Sequence, residues 1–518
     1  MLAPYKIERQ TLRQRLAKRT IIATIGFVGF MYGFLVALFP YWLYYWLALP
    51  IVVLTLLVIW ALPATDRAPE RAIEWCFWAF FVGLVVWPNY LAISIPGFPW
   101  ITIQRLFLGP MAFLLLVAVS QSASFRARIA APLKASPLIS KALIAFVAIQ
   151  TVTLFFSTGF GNTINRFISN QLQWTAIFFV SVLLFQKPGR ARRWMVWLML
   201  MIVFVSVLGF WEYRVQRVPW ADHIPSFLAV ADERVQDILF KARTRSAFSD
   251  QYRTTSVFFT SQNFAEVLGL AMPIAIYLFT TAQTQLQRLL YAALFPFIFA
   301  AIYTTDSRIG YICFFGSWMV FGFLWAARRW YNRRGDLVGI SLTLMYPVFG
   351  AVFFVLSLFW LRLYRMIWGG GQYQSSTDAR KEQWALFWPK IGHWPFGNGV
   401  GSSGEVLGYF TPDGTLTLDS YYIALNLEYG VLGFAAFMTM FIAAIIVCGR
   451  LAIEDKRGEI FAPLAILMLL FIIVKGVFAQ ENAHALIFMV LGMVVALRYR
   501  VMESAGALRQ HTTRPLSR

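Results

Sequence analysis

The feature that most constrains this chain is a series of apolar blocks, each about 20 residues long, along most of its 518 residues. A helix of about 20 residues crosses the ~30 Å hydrocarbon layer of a bilayer. Only 13% of the residues are charged, whereas a typical soluble domain has roughly 25%. The sequence therefore predicts an all-α polytopic membrane protein. It excludes a soluble enzyme, a disordered chain and a nucleic-acid-binding domain.

Fourteen of these blocks are candidate transmembrane helices. The first two are the least certain pair, since only Pro40 separates them, and the prediction is about 14 spans, with 12 as the lower bound. The predicted spans are 20–39, 41–62, 73–95, 100–120, 141–158, 167–186, 194–211, 262–282, 288–304, 309–327, 336–361, 418–449, 460–478 and 484–499.

The positions of Lys and Arg predict the orientation, because the cytoplasmic loops of membrane proteins carry an excess of both. With the N-terminus in the cytoplasm, most of the 45 basic residues fall in cytoplasmic segments, so we expect both termini there. The net charge of +21 then reflects orientation and not nucleic-acid binding. The basic start leads into an apolar run without a small-residue cleavage site, which predicts a retained signal-anchor.

Two long connections, 212–261 and 362–417, divide the spans into groups and are predicted to lie on the outer side. Loops of this length are usually binding surfaces or disordered links. The aromatic residues and glycines of 384–401 favour an ordered segment over a solvated loop. The other segments are a basic cytoplasmic N-terminus (1–19), an N-terminal transmembrane bundle (20–211), central transmembrane helices (262–361), C-terminal transmembrane helices (418–499) and a cytoplasmic tail (500–518).

Three arginines on the predicted outer side are candidate anion-binding residues: Arg253, Arg308 and Arg380. A guanidinium group presents five donors in a rigid fork and suits a phosphate or diphosphate. The alternative is snorkelling, in which a long side chain reaches lipid headgroups without specificity. That alternative is weakest for Arg308, because the turn that contains it is short and its outer position opposes the charge bias.

Polar residues also open the predicted span at 418. On a helix, Asp419, Tyr422 and Asn426 would share one face, while Glu428 would lie on the opposite face. Asp419 is therefore a candidate general base or orienting group, and a helix cap is the alternative.

Few other residues suggest chemistry. Cys76, Cys313 and Cys448 lie inside apolar blocks without the His spacing of metal sites, so we expect no metal and no cofactor. Alternate glycines at 397, 399 and 401 would let backbone N–H groups approach a phosphate, although this pattern is weak evidence. The nearby His393 is interpreted as a packing residue.

Ionisable residues are scarce in the middle of the spans. Glu266 is predicted to be shallow, and Lys475, Glu481 and His484 cluster at the predicted outer turn between the last two spans. Ion-coupled transporters normally place such groups near the middle of the membrane, so the pattern argues against transport.

Four short motifs within 250–435 resemble, in order, those of the bacterial O-antigen ligase and O-antigen polymerase family. Two positions differ from the usual first motif, where Ser256 and Gln262 replace Gly and Pro. Ligases of this family carry His-Asn where this chain has Asp419-Ser420, which points toward a polymerase. The motifs are Arg253…Asn263, Ser307-Arg308-Ile309-Gly310, Arg380…Trp384…Pro395-Phe-Gly-Asn-Gly399 and Asp419-Ser420-Tyr421…Glu428-Tyr-Gly-Val-Leu-Gly433.

The resemblance implies a GT-C-like membrane glycosyltransferase that is inverting and metal-independent. The implied donor is a glycan on undecaprenyl diphosphate, and the acceptor is a sugar hydroxyl on a second lipid-linked repeat. Arg253 and Arg308 would stabilise the leaving diphosphate, and Asp419 would act on the acceptor. The residues expected to bind substrate are Arg380, Trp384, Tyr422, Asn426, Glu428 and Asn263.

The resemblance also implies a place in the bacterial inner membrane with a site that faces the periplasm. Expected partners are the lipid-linked donor and acceptor, membrane lipids and a chain-length regulator, with no nucleic acid. Two alternatives stay open at this point. One is an O-antigen ligase that transfers glycan to lipid A core, and the other is a flippase or transporter of lipid-linked oligosaccharide.

Overall fold

The fold is described from a computed structural model of the chain. The structure describes residues 68–94, 100–157, 159–230, 232–240, 244–246, 249–333, 335–361, 364–365, 368–370, 374–391, 396–411, 414, 416–454 and 460–512, together with scattered positions from 23 to 59. The chain divides into two compact units, Met1–Pro63 with Ser94–Trp100, and Ala64–Ile93 with Ile101–Arg518. In the first unit the described positions from 23 to 59 are helical. The rest of the spans predicted at 20–39 and 41–62 lies outside the described residues, as does His393.

The second unit is almost entirely helical, with two short antiparallel hairpins. Its elements are α1 (Glu70–Val86), β1 (Ala92–Ile93), β2 (Ile101–Thr102), α2 (Ile103–Gln121), α3 (Ala123–Ala135), α4 (Pro137–Thr153), α5 (Phe160–Asn170), α6 (Ile177–Phe185), α7 (Arg190–Val215), α8 (Glu233–Phe240), β3 (Thr244–Ser246), β4 (Ser249–Tyr252), α9 (Ser261–Thr280), α10 (Gln285–Thr305), α11 (Arg308–Asn332), α12 (Leu337–Phe359), α13 (Gln374–Ile391), α14 (Ser403–Leu407), α15 (Tyr421–Glu454), α16 (Phe461–Lys475) and α17 (His484–Thr512).

Ten helices in the described part of the chain are long and apolar enough to cross a membrane, and α16 is a shorter apolar helix. Together they coincide with the eleven spans predicted from 100–120 onward, which confirms the all-α polytopic class. The span predicted at 73–95 is shorter than expected. It is the 17-residue helix α1, which ends at Val86 just before Trp87-Pro88, because a residue that precedes proline disfavours the helical conformation.

The centre of the bundle is α9, which packs against α10, α11 and α16. In its most apolar stretch 89% of the residues are buried, whereas the value for α12 is 6%. The close approach of α9 to α11 depends on Gly269, since a Cβ there would lie within 3.0 Å of the Cys313 side chain. The helix α9 is therefore enclosed by the other helices of the bundle.

One ion pair lies inside the bundle, between α16 and α9. Lys475 Nζ lies 2.8 Å from Glu266 Oε1, and both side chains are fully buried. The Lys475 ammonium also donates to the Gln480 carbonyl and lies 5.3 Å from the centre of the Phe471 ring. The predicted cluster of Lys475, Glu481 and His484 is thus a packed contact between α16 and α17. The connection between the two helices folds over these three side chains.

The helix α15 is broken at Gly430, where φ is 68° and ψ is 179°. The break leaves carbonyls without their usual helical partners, and the glycine-rich segment binds them. The Asn398 N–H donates to the Leu427 carbonyl at 2.8 Å, and the Gly399 N–H donates to the Glu428 carbonyl at 3.1 Å. These N–H groups are therefore occupied, and the alternate glycines serve close backbone packing and not a phosphate cradle.

The predicted loop 362–417 contains the helices α13 and α14, and the predicted loop 212–261 contains α8 and the β3–β4 hairpin. The helix α13 packs against the start of α15 through a separate apolar cluster. Because this cluster ties α13 to the transmembrane helices, the polar residues of α13 have defined neighbours. The buried members of the cluster are Phe387, Leu407, Tyr409, Ile423 and Leu427.

Candidate functional site

The candidate site is built around the turn between α10 and α11. The helix α10 ends at Thr305, Asp306 takes a left-handed conformation with φ of 45°, and α11 begins at Arg308. The Arg308 guanidinium donates from Nη2 to the Ser376 hydroxyl of α13 at 3.4 Å. The turn therefore places Arg308 between the transmembrane bundle and the loop helix.

Arg253 reaches the same turn from a different part of the chain. It directly follows strand β4, and the next residue, Thr254, donates its N–H to the Thr304 carbonyl at 3.1 Å. The Arg253 Nε donates to the Thr305 carbonyl at 3.3 Å. Arg253 and Arg308 are 55 positions apart in sequence, yet both lie at this one turn.

Asp419 lies outside regular secondary structure, before α15, which begins at Tyr421. The prediction that Asp419 shares a helix face with Tyr422 and Asn426 is therefore wrong, because the helix starts two residues later. The Asp419 backbone N–H donates to Gln383 Oε1 at 2.9 Å, and the Asp419 Oδ2 lies 3.7 Å from Arg380 Nε.

The electrostatic environment of Asp419 links it to the turn. Burial raises the pKa of the Asp419 carboxyl, and the positive charges of Arg380 and then Arg308 oppose that rise. Arg308 thus connects the Asp419–Arg380 pair with the turn that Arg253 also contacts. Guanidinium groups gathered in this way suit a phosphate anion.

One face of α13 supplies three of the contacts. Ser376, Arg380 and Gln383 are spaced four and three residues apart, so they share a face, and each contacts the site described above. Sequence reasoning identified Arg380 alone. The spacing of polar residues around it was the available signal for Ser376 and Gln383.

Trp384 follows Gln383 and is partly buried. Its ring packs edge-on against Phe387 with centroids 5.4 Å apart, and it lies 5.6 Å from the ring of Trp388. Trp384 therefore anchors α13 on the apolar cluster that it shares with α15.

Two of the residues expected to bind substrate make contacts within the bundle. The Tyr422 hydroxyl donates to the Ile472 carbonyl of α16 at 2.7 Å. The Asn426 amide donates to the Tyr422 carbonyl at 2.8 Å. The structure therefore does not bring these two side chains to the turn that holds Arg253 and Arg308.

Glu428 is buried at the break in α15. Its carboxylate accepts a hydrogen bond from the Ser403 hydroxyl at 2.7 Å and from the backbone of Gly401, with the charge of Arg166 nearby. Arg166, on α5, lies against Gly401, where an added Cβ would approach its side chain within 3.0 Å. Glu428 thus belongs to a second polar group, separate from the Asp419 contacts.

Asn263 lies in the first turn of α9, where its N–H donates to the capping hydroxyl of Thr260 at 3.2 Å. Its side-chain amide donates to Gln480 Oε1 at 3.4 Å. Its Oδ1 atom is buried and has no hydrogen-bond partner among the described residues. Asn263 therefore connects the start of α9 to the segment between α16 and α17.

The described residues contain no group of three or more His, Cys, Asp or Glu side chains placed to hold a metal ion. The groups that gather at the turn are mainly guanidinium groups, which bind phosphate oxygens by charge and hydrogen bonds. Transfer of a group from a phosphate leaving group requires cationic groups that bind the anion and a group that accepts a proton. The guanidinium groups can supply the first and the carboxylate beside them the second.

Comparison with known proteins agrees with the motifs. Residues 292–438 match the family described as O-antigen ligase, a region that includes Arg308, Arg380 and Asp419. The match confirms the resemblance to the O-antigen ligase and polymerase family over these residues. A search of curated proteins found no match to this chain.

Proposed function

We propose that this chain, whose residues 292–438 match the O-antigen ligase family, is a polysaccharide polymerase of the bacterial inner membrane. Its donor is a glycan on undecaprenyl diphosphate, and its acceptor is a sugar hydroxyl of a second lipid-linked repeat. The observation that carries the proposal is the placement of Arg253 and Arg308 at one turn, with the Arg380–Asp419 pair joined to it through α13. In this proposal the site faces the periplasm and both termini are cytoplasmic.

The arginines act on the leaving group. As the bond between the anomeric carbon and the diphosphate oxygen breaks, negative charge collects on the diphosphate. Arg253 and Arg308 are held by backbone and side-chain contacts before the substrate arrives, so little reorganisation opposes their action. Removal of one such donor costs about 3 kcal/mol of transition-state stabilisation.

Asp419 acts on the acceptor. Its carboxylate takes the proton of the acceptor hydroxyl while the hydroxyl oxygen attacks the anomeric carbon. The diphosphate leaves from the opposite side with the bonding electron pair, so the configuration inverts. Burial raises the pKa of Asp419 and makes it a stronger base, whereas the nearby arginines favour its ionised form.

The other proposed substrate-binding residues have less direct roles. Arg380 holds Asp419 and is a second phosphate or glycan contact, and Trp384 fixes the helix that bears it. Tyr422, Asn426 and Glu428 maintain the shape of α15 through the contacts described above. The amide of Asn263 holds the segment that follows α16.

A ligase that transfers glycan to lipid A core is the second candidate, because the family that matches is described as O-antigen ligase. The two candidates share the donor and the leaving group but differ in the acceptor. Asp419-Ser420, in place of the His-Asn of ligases, favours the polymerase.

The test uses the purified full-length protein with lipid-linked repeats, lipid A core and EDTA, in detergent and in parallel in reconstituted vesicles. We expect a ladder of longer glycans on gels, together with release of undecaprenyl diphosphate. Arg308→Lys should lose most of this activity, since an ammonium group lacks the fork that contacts two oxygens. Arg217→Ala is the matched control, because Arg217 lies in another predicted outer segment and pairs with the exposed Asp222.

The outcomes separate the alternatives. Transfer of a single chain to lipid A core without a ladder would indicate the ligase. Movement of the lipid-linked glycan across vesicles, with no diphosphate released and full activity in Arg308→Lys, would indicate a transporter. Strict dependence on a divalent ion would contradict the proposed chemistry.

A further inference from the structure

A buried carboxylate of α7 holds the segment that carries Arg253. Glu212 lies in the last turn of α7, close to the C-terminal end of that helix at Val215, and none of its surface is exposed. A buried carboxylate is costly unless hydrogen-bond donors surround it. The donors around Glu212 come from the segment Tyr252 to Ser256.

Both oxygens of the Glu212 carboxylate accept hydrogen bonds. The Tyr252 hydroxyl donates to Oε1 at 2.9 Å, and the Thr255 hydroxyl donates to the same oxygen at 3.3 Å. The Thr255 N–H lies 3.1 Å from Oε1, and the Ser256 N–H donates to Oε2 at 2.6 Å. Two side chains and two backbone groups thus converge on one carboxylate.

These donors lie on both sides of Arg253 in sequence. Tyr252 precedes it, Thr255 and Ser256 follow it, and the intervening Thr254 is fixed by its bond to the Thr304 carbonyl. The backbone at Arg253 is consequently held at each end. Its side chain then reaches the Thr305 carbonyl.

Ser256 shows how strongly this conformation is imposed. Its φ is 52°, which side-chain-bearing residues rarely adopt. Its N–H is held by Glu212, and its hydroxyl donates to the Val205 carbonyl at 2.7 Å. A glycine would adopt such a φ without strain, whereas a serine must be held there by its contacts.

We propose that Glu212 is the positioning residue for Arg253, a role that rests on the proposed function of that arginine. The carboxylate offers acceptor oxygens to two hydroxyls and to two backbone N–H groups. A glutamine has one acceptor oxygen, and the hydroxyls would have to turn to accept from its NH₂ group, whereas the N–H groups of Thr255 and Ser256 can only donate. Glu212→Gln therefore preserves size but loosens the segment that aims the guanidinium.

The test is a double-mutant cycle on polymerisation by the purified full-length protein. We expect Glu212→Gln to lower kcat by about 10-fold or more with little change in KM, and to lower it no further in an Arg253→Ala background. Glu74→Gln is the control, since Glu74 lies on α1 and pairs with Lys187, in the turn before α7, at 3.2 Å. Its effect should add to that of Arg253→Ala.

Amide hydrogen exchange gives a readout that does not depend on catalysis. In Glu212→Gln the backbone amides of Thr255 and Ser256 should exchange faster than in the wild type. In the control variant Glu74→Gln the same two amides should exchange at the wild-type rate. If Glu212→Gln fails to fold, Tyr252→Phe is used instead, because it removes one donor and keeps the carboxylate. It should lower kcat by a smaller factor, and again lower it no further in the Arg253→Ala background.

The outcomes distinguish this inference from the function on which it rests. Full activity of Arg253→Ala would remove Arg253 from the proposed mechanism, whatever Glu212 does. If Arg253→Ala is inactive or slow but the effects of residues 212 and 253 simply add, or if exchange at Thr255 and Ser256 is unchanged, Glu212 does not position Arg253.

Discussion

The Asp419 Oδ2 atom lies 3.7 Å from the Nε of Arg380, and this pair joins the loop helix α13 to the chain that leads into α15. The neighbouring Gln383 binds the Asp419 backbone at 2.9 Å, so one face of α13 fixes both the carboxylate and its main chain. The helix α13, which lies outside the predicted spans, therefore positions the proposed base Asp419.

The pH dependence of activity tests this pair. Burial raises the pKa of Asp419 and Arg380 lowers it, so Arg380→Gln should raise that pKa further. A base acts when deprotonated, and the acid limb of kcat/KM against pH should therefore move to higher pH. Lys381→Gln is the control, because Lys381 is exposed and its nearest acidic partner is Asp378 at 4.0 Å. A limb that stays in place or moves to lower pH would contradict the role of Asp419.

The spans were predictable because hydrocarbon requires about 20 apolar residues for each helix that crosses it, a signal that is local in sequence. The position of Arg308 was predictable for the same reason, since the two spans around it leave only a short turn. The conformation at Asp419 was not. Gln383, 36 residues away, binds its backbone, and helical periodicity contains no information about such a partner.

The glycines at 397 and 399 show a second limit. Backbone that approaches a phosphate and backbone that approaches another backbone both require a residue without a side chain. The sequence pattern is the same in the two cases. Only the contacts to the Leu427 and Glu428 carbonyls show that these glycines pack against the break in α15.

Substitution of Gly397 tests this packing. Its φ is 77°, and an added Cβ would lie 2.6 Å from the Gly430 nitrogen. Gly414 has a φ of 79°, and no atom of the described residues lies within 4 Å of such a Cβ. Gly414→Ala should cost about 1–2 kcal/mol of stability from backbone strain alone. Gly397→Ala should lower the thermal unfolding temperature in detergent by clearly more, and equal shifts would contradict the close approach.

Stability should also depend on Glu481, which lies between α16 and α17. Burial, followed by the nearby Glu428 carboxylate, raises the pKa of Glu481 from 4.5 to about 7. The folded protein then binds this proton more tightly than the unfolded chain, so stability should fall as pH rises between these two values. The measurement is the unfolding temperature of the wild type and of Glu481→Gln from pH 5 to 8. The unfolding temperature should decrease less with rising pH in the variant than in the wild type. Identical slopes would contradict this assignment.

The last prediction concerns the buried pair of Lys475 and Glu266, 2.8 Å apart. Lys475→Met leaves a carboxylate buried without its cation, which costs about 3–5 kcal/mol. Glu266→Leu in the same chain removes the stranded charge, so the double variant should recover most of the unfolding temperature in detergent. The exposed pair of Arg217 and Asp222 is the control, because its loss should cost less than about 1 kcal/mol. If the double variant is as unstable as Lys475→Met, the loss comes from the packing of the lysine stem and its aromatic neighbours, and not from the unpaired charge.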